Sequence, residues 1–307
     1  MSRTRFRLLQ YQTMAFVGLA YLLPSTVSAQ PGAPVAFAWQ ESVKGDKEPE
    51  ILLRWPIAIA TASDLEFGVL DAWKARFLVF KDEGTRGWKP KQPVELPAPP
   101  SGLAFDGDRY LVTLRGTGVL VAIERPELEI RRISLPPDVS PGAIAAKPEV
   151  GYLLFDSAGN RLIRFSPDDQ NLLSVPIDGY VTAVAFDASG GFLAAIATPP
   201  EIRRFGANGE MTTSWSVPSI GAAPAWPVGL DADAGGDLII ADRHTGQILI
   251  LDAGGKLVGI GARQGWDAGL LLRPADISRF PDGRIAVADQ GNGRIQIFSQ
   301  LRQDASP

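Results

Sequence analysis

Cysteine is absent from this 307-residue chain, histidine occurs once and methionine three times. Without cysteine there is no disulfide, no thiolate metal site and no covalently attached c-type haem. Packing alone has to hold the fold. The lone His244 has no partner for a zinc site, which needs several ligands of its kind, and reads as a solvated turn residue. Neither a Gly-x-Ser-x-Gly elbow nor a His-Glu-x-x-His motif occurs. No long unbroken apolar run is present either, because Gln10 and Gln12 interrupt the N-terminal one.

That N-terminal stretch has the order of a secretory signal. Arg3, Arg5 and Arg7 form a basic start, Phe16 to Leu23 a short apolar core, and Val27-Ser28-Ala29 a small-residue cleavage site. Residues 1–29 are therefore expected to be removed, leaving a single domain over 30–307 in the periplasm or outside the cell, with no stable membrane insertion. No Arg-Arg pair precedes the apolar core, which points to ordinary unfolded export. No cysteine follows it, which excludes a bacterial lipoprotein. Loss of three arginines from 30 basic residues, against 34 acids, takes the net charge from −4 to −7. Phosphate backbones demand clustered Lys and Arg, so nucleic acid is not an expected partner.

What the chain does have is 45% apolar residues, 32 glycines and 25 prolines. This composition suits short strands joined by many turns. The strands come in a repeat. Residues 274–298, PADISRFPDGRIAVADQGNGRIQIF, match 227–251, PVGLDADAGGDLIIADRHTGQILIL, position for position. Weaker copies lie at 56–80, 100–123, 141–165 and 181–205, and the closing apolar positions 80, 123, 165, 205, 251 and 298 recur every 40 to 47 residues. Six copies at that period indicate propeller blades. Each copy supplies three strands, and most add a fourth: Leu128–Ser134, Asn171–Val175, Met211–Val217 and Lys256–Gly261. The resulting blades fall near 56–95, 100–134, 141–176, 181–217, 227–261 and 274–300. The last copy lacks room for its own fourth strand, and Val35–Trp39 is expected to supply it, hiding an open edge. The fold expected is an all-β, six-bladed propeller of four-stranded antiparallel blades.

The consensus P-x-x-I-x-x-x-x-x-G-x-I-x-V-A-D-x-x-x-x-R-I-x-x-F resembles NHL repeats. The resemblance implies the blade architecture and leaves function open, since the family includes binding scaffolds and a few enzymes.

Several residues stand out against the repeat. Asp and Arg recur five apart, at Asp71–Arg76, Asp156–Arg161 and Asp289–Arg294, with Asp242–Gln247 as a variant. Repetition around a ring favours a structural role for them, tying the turn between the second and third strands. Inner strands carry small residues (Ala, Gly or Ser) at the second and fourth positions after the leading residue, except for Asp231 and Asp276 in neighbouring blades. Buried carboxylates need partners. Two readings stand: a polar site able to hold a divalent cation, or carboxylates solvated in the channel or paired with Arg273 or Arg279. Trp55, Tyr180, Trp226 and Arg273 each precede an inner strand, and Trp73 lies in a turn on the same face. Trp266 sits in a loop able to close over it. Exposed aromatics with an arginine have the composition of binding hot spots, whereas the same rings packed between blades would be core.

Among six-bladed propellers, the zinc-dependent lyase of peptide amidation requires histidines this chain lacks. Lactonases of the gluconolactonase kind hold one divalent cation with Glu, Asn and Asp from several inner strands, whereas here four blades offer only Ala or Gly. The expectation is an exported, non-catalytic propeller that binds or scaffolds a protein, peptide or glycan in the cell envelope. No cofactor is expected. A lactonase-like hydrolase with a cation on Asp231 and Asp276 is the alternative.

Overall fold

The computed structural model describes residues 37–45 and 51–300. The expected signal segment, and Val35 and Ala36 of the closing strand, lie outside the described residues. Six antiparallel sheets form a ring. Blade 1 runs Pro56–Ser63, Glu66–Asp71, Arg76–Asp82 and an outer strand split into Trp88–Pro90 and Val94–Glu95. Blades 2 to 5 each hold four strands in chain order, with inner strands Pro100–Phe105, Pro141–Lys147, Val181–Phe186 and Pro227–Ala232. Blade 6 comprises Asp276–Arg279, Ile285–Asp289 and Arg294–Gln300, and takes Phe37–Val43 as its outer strand. Neighbouring inner strands touch all the way round, including the first and last.

Second strands are packed between adjacent blades on both faces, so they read as unbroken apolar runs such as Phe192–Ala197 and Leu238–Asp242, buried at every residue. Outer strands are half-exposed and accept polar residues, as in Asn171–Pro176. The closing apolar position of each repeat lies directly across from the start of the second strand. Phe67 with Phe80, Tyr152 with Phe165 and Phe192 with Phe205 are stacked there at 5.2, 4.8 and 5.2 Å. Each such cross-strand pair contributes about 0.5 kcal/mol.

The closing strand runs from Phe37 through Val43, beyond the Trp39 limit expected from sequence, and pairs Phe37 with Gln300 and Val43 with Ile295. Gln40, Glu41 and Ser42 conceal it in the sequence because an outer strand needs apolar residues only where it meets its neighbours. Phe37 and Val43, buried at its two ends, lock it between blades 5 and 6 on one side and blades 6 and 1 on the other. The small residues of the inner strands have an equally direct cause. A Cβ at Gly229 would lie 2.5 Å from the Ile277 nitrogen of the next blade, so the blades meet backbone to backbone near the axis.

Candidate functional site

The repeated aspartate fixes what one face of the disc presents. In blade 1, buried Asp71 accepts the main-chain N–H of Trp55 at 3.0 Å and of Trp73 at 3.2 Å on one oxygen, and Arg76 Nη2 at 2.9 Å on the other. Arg76 also donates to the Leu52 carbonyl at 2.7 Å. In blade 5, Asp242 accepts the N–H of Trp226 at 2.9 Å and of His244 at 3.1 Å, with the Thr245 hydroxyl at 2.7 Å in the arginine's place. Blade 3 repeats the clamp on Ser140 and Ala158 through Asp156, which pairs with Arg161. In blade 6, Asp289 takes the Leu272 amide and pairs with Arg294. In blades 1, 3 and 5 the clamp joins the residue ahead of the inner strand to the turn between strands two and three. Whatever side chains stand at those two places emerge together.

In blades 1 and 5 they are rings. Trp55, Trp73 and Tyr180 are 48%, 61% and 63% exposed. Trp226 is half-buried, 6.0 Å from Tyr180 and 5.3 Å from His244, centroid to centroid. These rings form a surface rather than a packing layer between blades. His244 Nδ1 lies 3.0 Å from the Pro224 carbonyl, and its ring completes a row Tyr180–Trp226–His244. Sequence reasoning set His244 aside as a solvated turn residue. The signal that finds it is repeat position, for it stands where blade 1 has Trp73.

Arg273 lies exposed between these clusters, and the half-buried Arg243 guanidinium reaches its carbonyl at 3.4 Å and Gln290 Oε1 at 2.7 Å. Burial, with the Arg273 charge second, holds the Arg243 guanidinium below its usual range. The loop with Trp266 folds over the same face. Asn292 donates to the Gly265 carbonyl and Arg294 to the Asp267 carbonyl, at 3.0 and 2.6 Å, leaving Trp266 75% exposed.

Asp231 and Asp276 are not part of this face. They line a central channel of about 520 Å³ whose wall continues to Lys147, Asp187 and Asp233, beyond the other ends of the inner strands, and includes neither Trp55 nor Trp226. Asp231 accepts the N–H of Ala232 and of Arg279, both at 2.8 Å. Asp276 accepts Ile277 N–H at 2.9 Å and Ile59 N–H at 3.0 Å. The two carboxylates staple blade 5 to blade 6 and blade 6 to blade 1 through main-chain amides, with no ion pair to the arginines the sequence offered. Burial pushes both carboxyls up, Asp276 to about 7, and the negative charge of Asp231 adds to that rise. Among the described residues no three of His, Cys, Asp and Glu gather as a metal site, and no helix is long and apolar enough to cross a membrane.

Among curated protein sequences nothing matches this chain. Solved structures do match in fold. A streptogramin B lyase is 14% identical, with a TM-score of 0.64 over 87% of this chain and 98% of its own. A catalytically inactive histidine-to-alanine variant of virginiamycin B lyase from Staphylococcus aureus, with quinupristin, is 16% identical, with a TM-score of 0.61 over 88% and 90%. A protein of unknown function from Bacteroides thetaiotaomicron is 13% identical, with a TM-score of 0.68 over 87% and 76%. At these identities the likeness is one of fold. The NHL repeat model matches residues 271–298, and that match, set in a ring of six four-stranded antiparallel blades, fits the chain to an NHL-repeat propeller family.

Proposed function

We propose that the protein is an exported binding propeller, and that it holds a protein, peptide or glycan of the cell envelope on the face carrying Trp55, Trp73, Tyr180, Trp226 and Arg273. One observation carries this reading: Trp55 and Trp73 stand in solvent at positions that buried Asp71 fixes through the main chain, and Asp242 holds the half-buried Trp226 in the same way. The clamp orders the backbone beneath the rings before any partner arrives, which lowers the entropic cost of binding. An aromatic anchor buried at an interface contributes roughly 2 kcal/mol, or about thirtyfold in affinity. The test replaces Trp55 and Trp226 by alanine and measures melting beside capture of envelope components. Retained melting with lost capture supports the face, whereas unchanged capture refutes it. Export itself is checked by N-terminal sequencing of the mature protein, expected to begin at Gln30.

A second reading, an enzyme of the lyase kind, is favoured by one observation. The virginiamycin B lyase variant lost activity through a single histidine, and this chain exposes its one histidine on the aromatic face. Incubation with quinupristin, followed by chromatography and tandem mass fragmentation of the product, decides it, since elimination within one molecule leaves its mass unchanged. Turnover without a change of mass, abolished by His244→Ala, would establish a lyase, and unaltered quinupristin would leave the binding reading alone.

A further inference from the structure

The two faces of the disc differ in charge. Every turn from the inner to the second strand carries an acid: Asp64, Asp106, Glu149, Asp187, Asp233 and Asp282. The aromatic face has the opposite character along blades 5, 6, 1 and 2. Arg243, Arg273, Arg54, Lys74 and Arg115 stand there, and none is in an ion pair with a described carboxylate. Acids do occur on that face in blades 3 and 4, but Asp138, Asp178 and Glu201 are held by Arg161 and Arg203. Asp267, on the loop with Trp266, is an exposed acid. In a chain of net negative charge, five cations without an acidic partner among the described residues share this sector of the face.

Resting on the binding-face reading, the geometry points to an acidic polysaccharide as the ligand of this sector, its carboxylates on the arginines and its sugar rings on the indoles. Guanidinium groups pair with carboxylates through two parallel hydrogen bonds, and among the described residues nothing accepts from those of Arg273 and Arg54. The flat apolar faces of pyranose rings stack on exposed indoles. Here the ring clusters stand apart, Trp55 with Trp73 in blade 1 and Tyr180 with Trp226 and His244 in blades 4 and 5, with Arg273 of blade 6 between them. A stiff polymer that repeats ring and carboxylate along its length matches that alternation. An acidic peptide satisfies the cations but supplies no ring faces for the indoles. A nucleic-acid strand calls for a longer cationic track than these five residues in an acidic protein.

The experiment titrates the full mature chain with polygalacturonate, using dextran, poly-L-glutamate and oligo(dT) as comparison arms, by affinity electrophoresis and calorimetry. Polygalacturonate is expected to bind alone, more weakly as salt rises. Arg54→Gln with Arg273→Gln, and separately Trp55→Ala with Trp73→Ala, should each weaken binding at least tenfold with melting unchanged. Absence of polygalacturonate binding, equal binding of poly-L-glutamate or oligo(dT), or full binding by both double variants would overturn the assignment. Should polygalacturonate fail while the Trp55/Trp226 variant still loses its captured partner, the glycan assignment falls and the binding face stands. If neither effect is seen, both fall.

Discussion

Replacing Asp276 by asparagine removes a charge that burial in the channel disfavours, and the consequence depends on pH in a direction the structure specifies. Burial pushes this carboxyl from 3.8 to about 7; the amides of Ile59 and Ile277 pull against that rise and the charge of Asp231 adds to it. Between those two values the folded protein holds a proton that the unfolded chain has released. Stability therefore falls as pH rises from about 4 to 7 and levels off above, since the unfolded state binds fewer protons in that window. A rise of that size is worth about 4 kcal/mol at most, reduced in practice by water in the channel. Asparagine stays neutral throughout. It keeps one acceptor but turns an NH2 towards either the Ile59 or the Ile277 amide, at a cost of about 1–3 kcal/mol. At pH 5 the variant should be the less stable protein by that amount. By pH 8 the gap should close or reverse. Urea midpoints at four pH values between 5 and 8, with a constant denaturant slope, measure it. Burial also raises Glu41 and Asp237, so the quantity to follow is the difference between variant and parent. Parallel curves, or a parent that gains on the variant as pH rises, would refute the reasoning.

Other perturbations have equally definite outcomes. Asp71→Ala removes a buried acceptor from Arg76, 1% exposed, and from the main-chain amides of Arg54, Trp55 and Trp73, and should cost about 3–5 kcal/mol in chemical denaturation; a loss below 1 kcal/mol would deny the clamp its weight. Deleting the outer strand through residue 43 uncovers the edge of Arg294–Gln300 and removes Phe37 and Val43 from two blade interfaces, so the melting temperature should drop by about 10 °C, on the order of 3–5 kcal/mol at roughly 2–4 °C per kcal/mol. Calcium at millimolar concentration should leave the melting temperature unchanged, because all four oxygens of Asp231 and Asp276 already accept main-chain N–H groups. An upward shift abolished by the double asparagine variant would restore the cation site and with it the lactonase alternative.

The blade frame was legible because it rests on local chemistry repeated many times. Small residues mark the inner strands, unbroken apolar runs the second strands, and an aromatic or aliphatic residue closes the third. The same frame located the face of Trp55, Trp73, Tyr180, Trp226 and Arg273. It also held the means to find His244, since Trp55 with Trp73 and Trp226 with His244 occupy the same pair of repeat positions. What stayed hidden was long-range. Asp276 meets the Ile59 amide 217 residues away, and nothing local distinguishes a carboxylate bound for a main-chain amide from one bound for a guanidinium. The far half of the closing strand was hidden for a different reason: its outward side is wet, and Gln40, Glu41 and Ser42 look like loop.

The aspartate clamp grips peptide nitrogens, and every residue except proline supplies one. The residues at 55, 73, 226 and 244 are therefore held in place by an attachment indifferent to what they carry. Exchanging a tryptophan there for serine, lysine or leucine leaves Asp71 and Asp242 fully bonded and the blade intact. Blades 2 and 4 have Leu114 and Ile196 where the clamp would be, so only part of the rim enjoys this freedom. Along that part, recognition and folding are written in separate atoms, and a lineage could change its ligand without renegotiating its fold.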